Sequence, residues 1–252
     1  MSSTPVSAPP APFIISPDTT VGALVAAYPL LAQFFEQLGV DYCCGGKQSL
    51  AAACGRHGLQ VAATIALIQA TEAKLAAGPA EVDAAAMGLA QLADHIEATH
   101  HAYLKAELPR LCEMADRVAA KHGWRDARLP AVHRALADLT VEMVAHMQQE
   151  EFILFPAVRQ LEAGTAADGP GGSGLAGPIR QMEAEHESAG NLTAALRELT
   201  DGFMPDANAC NTHRALLAGL AAFERDLHRH VHKENNVLFP RALALAGAAA
   251  GA

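Results

Sequence analysis

The chain carries one pattern of potential metal ligands twice, H-x3-E-x3-L-F-P. The first copy is HMQQEEFILFP at 146–156 and the second, 84 residues later, is HVHKENNVLFP at 230–240. Residues i and i+4 share one face of an α-helix, so His146 points in the same direction as Glu150, and His230 in the same direction as Glu234. Imidazole nitrogens and carboxylate oxygens together suit iron, manganese or zinc. The repeat therefore predicts a His–Glu metal-binding pair on each of two helices.

Each His–Glu pair falls within a stripe of mostly apolar residues at helical spacing, which predicts that both pairs face a core. The first stripe contains Leu136, Leu139, Met143, Ile153 and Ala157, and the second contains Leu220, Phe223, Leu227, Val237 and Arg241. A buried, unpaired carboxylate is destabilising, and two in one core would also repel each other. A dinuclear metal centre bridged by both carboxylates removes both costs. A pair of structural His–Glu hydrogen bonds is the alternative interpretation.

A dinuclear centre needs more ligands, and the remaining helices offer histidines. His186 lies 44 residues before His230, and His101 lies 45 before His146. His100 is rotated by about 100° from His101 on a helix, so His101 is favoured and His100 is kept as the alternative. His228 and His232 form a second, less favoured i,i+4 pair.

Two carboxylates lie beside these candidate ligands in the sequence. Glu97 lies one turn before His101, and Glu185 directly precedes His186. Both are candidates for supporting a ligand or relaying protons, although a solvated helix face is favoured for Glu97.

The predicted ligand set indicates the chemistry. With both glutamates bridging, each metal would receive two imidazole nitrogens and two carboxylate oxygens. An oxo or hydroxo bridge would add a fifth ligand and leave one octahedral position for O2, nitric oxide or peroxide. Two iron ions are favoured for redox chemistry, although spacing alone also admits zinc or manganese.

The rest of the chain predicts an all-α fold, because no alternating Val/Ile/Thr-rich run competes for strands. We expect a disordered tail at 1–15, a small helical domain at 16–76, a linker at 77–86 and an antiparallel four-helix bundle at 87–245. Bundle helices are predicted at about 87–120, 130–162, 175–200 and 208–245. Pro156 and Pro240 remove backbone donors, so each helix should kink or loosen just beyond its glutamate.

The stretch DYCCGG contains adjacent cysteines, Cys43 and Cys44, before two glycines. Adjacent Cα atoms lie about 3.8 Å apart, below the usual disulfide range of about 4.4–6.8 Å, so a disulfide between them would be strained and easily reduced. Such a pair could exchange disulfides, pass electrons or transiently hold a metal. Two buried small side chains are the structural alternative.

Composition excludes several classes of function. The net charge is −9 and the pI about 5.7, without a Lys/Arg cluster, which argues against nucleic-acid binding. No uninterrupted apolar stretch of about 18 residues predicts a membrane span, and the N-terminus does not resemble a signal peptide. Five cysteines form no disulfide framework. The cytoplasm is the expected location, and the oligomeric state, monomer or dimer, stays open.

Taken together, DYCCGG, HMQQEEFILFP, MEAEHESAG and HKENNVLFPRAL resemble the iron–sulfur cluster repair di-iron proteins, over about residues 16–245. These are hemerythrin-like bundles with a small N-terminal cysteine domain. The resemblance implies a non-haem di-iron centre bridged by its glutamates, and an adjacent cysteine pair that matches Cys43 and Cys44. Its implied ligands are the set that the repeat selects: His101, His146, Glu150, His186, His230 and Glu234.

The resemblance also implies function. The family restores iron–sulfur clusters damaged by nitric oxide or peroxide, supplies iron and reacts with nitric oxide, so proteins with damaged clusters are the expected partners. Two alternatives are nitric oxide reduction at the irons and an O2 or nitric oxide carrier or sensor.

Overall fold

The computed structural model describes residues 15–75, 82–165 and 174–250. The predicted tail at 1–15 lies, apart from Ile15, outside these residues, as do residues 77–81 of the predicted linker. Within the described ranges every regular element is helical, and a single antiparallel bridge joins Thr20 to Ser49. The all-α prediction is confirmed. No described helix is long and apolar enough to cross a membrane.

The N-terminal part consists of four short helices. They are α1 (Val21–Ala27), α2 (Leu31–Leu38), α3 (Leu50–Arg56) and α4 (Val61–Leu75), followed by a 3-10 turn at Ala84–Ala86. The side chains of Thr20 and Ser49 accept hydrogen bonds from free N–H groups at the starts of α1 and α3. Their apolar faces pack into a cluster of their own around Leu24, Phe35 and Leu50.

Four long helices follow, three of them interrupted by a π-helical turn. The first comprises α5 (Leu89–Ile96), the π turn Glu97–His101 and α6 (Ala102–His122); the second comprises α7 (Arg128–Gln149), the π turn Glu150–Leu154 and α8 (Phe155–Glu162). The third is α9 (Ala176–Leu199), and the fourth comprises α10 (Asn211–Lys233), the π turn Glu234–Leu238 and α11 (Phe239–Ala250). We call 89–162 hairpin one and 176–250 hairpin two. The four predicted bundle helices are confirmed.

Two apolar clusters fill the bundle at different levels. One includes Leu104, Leu108, Met143 and Leu227. The other includes Ile96, Leu154, Met182 and Leu238. The predicted metal-binding residues fall between these clusters along every helix, so the bundle holds a polar layer between two apolar ones.

The π turns widen three helices at this polar layer. The N–H groups of Ala102, Phe155 and Phe239 donate to carbonyls five residues back, at Glu97, Glu150 and Glu234. The predicted loosening beyond each glutamate is therefore confirmed in the second and fourth helices. The turn in the first helix is not followed directly by a proline, so a nearby proline is not required for it.

Widening by one residue shifts the buried face, and this corrects one prediction. Ile153, expected in the core stripe, is 59% exposed, whereas Leu154 is 2% exposed. The core face continues through Val158 rather than the half-buried Ala157. The regular 3.6-residue period fails because a π turn holds an additional residue.

The N-terminal helices dock on the fourth bundle helix through Asn236. Its amide Nδ2 donates to the carbonyl oxygens of Tyr42, at 3.3 Å, and Cys43, at 3.0 Å. A Cβ atom at Gly22 or Gly46 would lie 2.2 or 2.3 Å from Asn236 Oδ1. Only glycine therefore allows this close approach. The side chain of Cys43 itself packs into the apolar cluster of the bundle around Leu104.

Candidate metal centre

The structure brings the six predicted ligand residues together in the polar layer. His101, Glu150, His230 and Glu234 offer ligand atoms within 4.8 Å of one another, as do His146, Glu150, His186 and Glu234. Each of the six residues is at most 2% exposed. Both carboxylates belong to both groups, whereas each imidazole belongs to one. We call the two groups the His101 position and the His146 position.

The four imidazoles direct Nε2 inward. The two Nε2 atoms lie 3.2 Å apart at the His101 position and 3.0 Å apart at the His146 position. Glu150 Oε2 lies 3.3 Å from Nε2 of both His101 and His146. Glu234 oxygens lie 3.1 Å from His186 Nε2 and 2.9 Å from His230 Nε2.

This donor set fits cations. Among the described residues, neither carboxylate oxygen of the fully buried Glu150 has a hydrogen-bond partner. Facing nitrogen lone pairs and buried carboxylates are unfavourable together unless positive charge lies between them. The observed arrangement therefore matches two neighbouring, carboxylate-bridged cations held by nitrogen and oxygen ligands.

Three imidazoles are oriented by hydrogen bonds at the outward-facing Nδ1 atom. His101 Nδ1 lies 2.7 Å from Glu151 Oε1, His146 Nδ1 lies 2.8 Å from Glu185 Oε2, and His186 Nδ1 lies 2.9 Å from Asn235 Oδ1. Each acceptor holds the proton on Nδ1 and leaves Nε2 free to bind a cation. Glu185 thus lies where a supporting residue is needed.

Sequence reasoning missed Glu151 and Asn235. The signal was present, because these residues occupy equivalent places in the repeat, directly after Glu150 and Glu234. The repeated phenylalanine was missed too. Phe155 stacks on His101 with ring centroids 5.7 Å apart, and Phe239 stacks on His186 at 6.0 Å.

The fourth imidazole, His230, is held differently. Its buried Nδ1 has no hydrogen-bond partner in the part of the chain that the structure describes. Its ring instead stacks on His100, with centroids 5.4 Å apart and planes 10° from parallel. His100, kept as an alternative ligand, belongs to neither group of converging atoms. Its Nδ1 lies 3.0 Å from Asp226 Oδ1 and its Nε2 lies 2.8 Å from Lys233 Nζ.

Other sequence candidates lie away from the centre. Glu97 binds Arg159, with Nη2 2.6 Å from Oε1, and among the contacts described its side chain makes no hydrogen bond to any of the six residues. His228 and His232 face Tyr42 of the N-terminal part, with ring centroids 6.2 and 5.5 Å from the phenol. Neither belongs to a group of three or more converging ligand atoms among the described residues.

The protein environment shifts the pKa values of His146 and His230 in opposite directions. Burial opposes charge on His146, but the carboxylates of Glu150 and Glu185 outweigh it and raise the pKa to about 10. Burial dominates at His230 and lowers its pKa to about 4. Burial also disfavours a charged Glu234, yet the imidazoles of His230 and His186 hold the pKa of that carboxyl well below its usual value.

The adjacent cysteines lie beside hairpin two. Their Sγ atoms are 3.8 Å apart without a disulfide bond, and Cys44 Sγ lies 3.6 Å from the backbone carbonyl oxygen of His186. Asp41 Oδ1 accepts the backbone N–H groups of both cysteines, each at 3.0 Å. The hydrogen bond to Cys44, together with burial, raises the pKa of the Cys43 thiol well above its usual value.

Two cavities reach residues of the His146 position. A groove of about 1490 Å³ between the N-terminal part and hairpin two is lined by Cys43, Cys44, His186 and Asn235, among others. A smaller cavity of about 330 Å³ between α7 and α9 is lined by His146 and Glu185.

The fold and the site define a hemerythrin-like four-helix bundle with a cation-binding centre. Residues 92–242 match the family model described as Hemerythrin HHE cation binding domain, and residues 17–72 match the Domain of Unknown function (DUF542). Hemerythrin-type domains indicate iron as the cation.

Curated relatives match almost the whole chain. Proteins named "Iron-sulfur cluster repair protein YtfE" from Salmonella paratyphi B, Salmonella newport and Salmonella heidelberg are each 38% identical over 227 residues. The match covers 90% of this chain and 97% of each relative. The chain belongs to the iron–sulfur cluster repair family, as its motifs predicted.

Proposed function

We propose that this chain is a non-haem di-iron protein that repairs iron–sulfur clusters damaged by nitrosative or oxidative stress, binding nitric oxide and donating iron. The observation that carries the proposal is the pair of buried ligand groups that share Glu150 and Glu234. The relatives named for cluster repair support the biological role. Proteins with damaged clusters are the proposed partners, and the cytoplasm is the proposed location.

The six candidate ligand residues would have two different roles. His101, His146, His186 and His230 would each give one Nε2, while Glu150 and Glu234 would bridge the two irons. Once bound, the irons supply redox-active Lewis-acid centres that take a small ligand such as nitric oxide or O2. Glu151, Glu185 and Asn235 hold three imidazoles in the required orientation, and Phe155 and Phe239 shield two of the rings from water.

Iron is the cargo in this proposal, and the adjacent thiols lie on the route that we propose for it. Cys44 faces the groove and contacts the backbone of His186, a ligand residue of the His146 position. Thiolates bind iron and exchange it with other thiolates, which are also the usual ligands of iron–sulfur clusters. We therefore assign Cys43 and Cys44 a transfer or redox role. In this proposal 16–76 forms the cysteine domain and 87–245 the di-iron bundle.

Iron transfer to a cluster-free iron–sulfur protein tests the proposal. Iron-loaded protein is mixed with the acceptor and sulfide, and cluster absorption and the iron left on the donor are followed over time. We expect the acceptor to gain a cluster as the donor loses iron. The Cys43→Ser/Cys44→Ser variant should transfer more slowly, and Cys210→Ser, which alters a cysteine at the start of α10, should match the parent protein.

The outcomes also separate the alternatives. Tight iron binding without transfer would contradict repair by iron donation and favour a carrier or sensor. Steady conversion of nitric oxide to nitrous oxide with a supplied reductant, again without transfer, would favour a nitric oxide reductase.

A further inference from the structure

We propose that the two cation positions are unequal and fill in a fixed order, the His146 position before the His101 position. This inference rests on the proposed di-iron function and identifies which iron is held more weakly. Glu150 and Glu234 cannot decide the order, because both belong to both positions. The difference must come from the residues that support the four imidazoles.

Both imidazoles of the His146 position donate from Nδ1 to an acceptor. Glu185 Oε2 accepts from His146 at 2.8 Å, and Asn235 Oδ1 accepts from His186 at 2.9 Å. The other oxygen of Glu185 is 2.9 Å from the neutral amide of Gln181. Among the contacts described, no cation neutralises this carboxylate. Its side chain is 31% exposed, so solvent screens part of the negative charge that acts through His146.

Both imidazoles of the His101 position have weaker hydrogen-bond support at Nδ1 than those of the His146 position. Glu151 accepts from His101, but both of its oxygens also contact Lys105 Nζ, at 2.6 and 2.7 Å. That ammonium neutralises the carboxylate. The Lys105 side chain is 52% exposed, so solvent screens part of this effect.

His230 is the other imidazole of the His101 position. It contacts the ring of His100 and has no acceptor at Nδ1 among the described residues. His100 stacks on it, and His100 is fixed by Asp226 on one nitrogen and Lys233 on the other. The charges of Asp226 and Lys233 offset each other. The stack orients His230 without drawing its Nδ1 proton away, so the imidazole remains a weaker donor than one bound to a carboxylate.

These supports give a direction and a magnitude. An acceptor on Nδ1 increases the electron donation of Nε2, and loss of such a partner typically lowers metal affinity by about 10–100-fold. The His146 position has two acceptors and one uncompensated carboxylate. The His101 position has one acceptor, whose charge a lysine neutralises. The structure therefore assigns the higher affinity to the His146 position.

Cavities do not alter this order at equilibrium. The groove and the smaller cavity reach His186 and His146, which favours rapid exchange at the His146 position. Exchange rate and affinity are separate quantities, so the order must be measured at equilibrium.

Cobalt(II) titration of the metal-free full-length protein, followed by visible absorption and calorimetry, tests the order. We expect two binding steps whose affinities differ by about 10–100-fold. Glu185→Gln should weaken the tighter step by about tenfold and leave the weaker step unchanged, and Glu151→Gln should weaken only the weaker step. A general loss of folding would lower both steps, so this selectivity separates a positioning role from a structural one.

Glu187→Gln is the matched control. Glu187 is exposed on α9, the helix that carries Glu185, and its substitution removes the same single negative charge. It should leave both steps unchanged. Two equal affinities, or Glu151→Gln acting on the tighter step, would overturn the proposed order. If two cobalt ions bind without the order, cluster repair by iron donation still stands; if iron transfer fails, the order stands on the cobalt data.

Discussion

The two hairpins are built on one plan but have different surroundings. Each gives a histidine from its first helix, a His–Glu pair from its second, a polar residue after the glutamate and a phenylalanine that stacks on the first histidine. At the equivalent positions Phe152 and Asn236, the plan diverges. Phe152 is 75% exposed, whereas Asn236 binds the backbone of Tyr42 and Cys43. The two copies of the repeat thus agree at the buried positions around the candidate ligands. They differ at the outer face of the π turn, which is exposed in hairpin one and binds the N-terminal part in hairpin two.

The two hairpins also differ beside the candidate metal centre, at the residue that precedes the histidine of each first helix. Glu185 precedes His186 and supports His146 in hairpin one. His100 precedes His101 and stacks on His230 in hairpin two. Each hairpin therefore supports an imidazole of the other. Together with the contact of Lys105 with Glu151, this exchange of a carboxylate for an imidazole is the difference on which the proposed filling order rests.

The strongest test of the shared plan removes a bridging carboxylate. We expect Glu150→Ala/Glu234→Ala to lose both irons, and either single variant to lower occupancy of both positions, because each glutamate belongs to both groups. Metal content per chain and the optical spectrum measure the loss. Glu187→Ala is the control. If Glu150→Ala lost one iron and retained the other at full affinity, each hairpin would hold its own metal and the shared-bridge interpretation would be wrong.

A second test addresses the shifted register beyond Glu150. Leu154→Ala should destabilise the protein by about 2–5 kcal/mol, because it removes a buried side chain at the end of the π turn. Ile153→Ala, at an exposed position, should change stability by about 0.5 kcal/mol or less. Urea unfolding with helical circular dichroism compares the two. Equal losses would show that the π turn does not set the register in solution.

A third test concerns the seat of the N-terminal part on hairpin two. Gly22→Ala places a methyl group 2.2 Å from Asn236 Oδ1 and should cost about 1–3 kcal/mol. In an Asn236→Ala background this cost should fall, since most of the clash is with that side chain. Gly55→Ala, with no atom within 4 Å of the new methyl group, should not destabilise the protein. Additive effects of Gly22→Ala and Asn236→Ala in unfolding experiments would argue against the close approach.

The smallest expected effect distinguishes the two thiols beside hairpin two. The raised pKa of Cys43 leaves it mostly protonated near neutral pH, so alkylation by iodoacetamide should be at least about tenfold slower than at the half-buried Cys44. The rate at Cys43 should rise with pH, because more thiolate forms as the pH approaches the raised pKa. Mass spectrometry of peptides from protein labelled at several pH values measures both rates. Faster labelling of Cys43 at pH 7 would contradict its buried, hydrogen-bonded position.

Much of the architecture was predictable because the repeat encodes it. Periodicity located the four long helices, and the 84-residue offset selected His146, Glu150, His230 and Glu234, which the structure brings together with His101 and His186. The failures have physical causes. Ile153 was misplaced because a π turn breaks the regular period, and that turn has no single-residue signature. Glu151 and Asn235 were missed because adjacent polar residues usually face solvent.

Contacts between distant segments were beyond sequence reasoning. The stack of His100 on His230 joins residues 130 apart, and the contact of Cys44 with His186 joins residues 142 apart. Neither pair forms a local pattern. The relation of Glu185 to His146, by contrast, was approachable, because Glu185 adjoins a predicted ligand.

Each position takes one histidine and one glutamate from each hairpin, so a cation bound there would link the two halves of the bundle. Neither half alone contains a complete position. If the chain were cut between residues 165 and 174, metal would strengthen the association of the fragments, and its uptake would report their reassembly. If this protein donates iron as proposed, release of the iron should also weaken the association of the two halves and lower the stability of the protein.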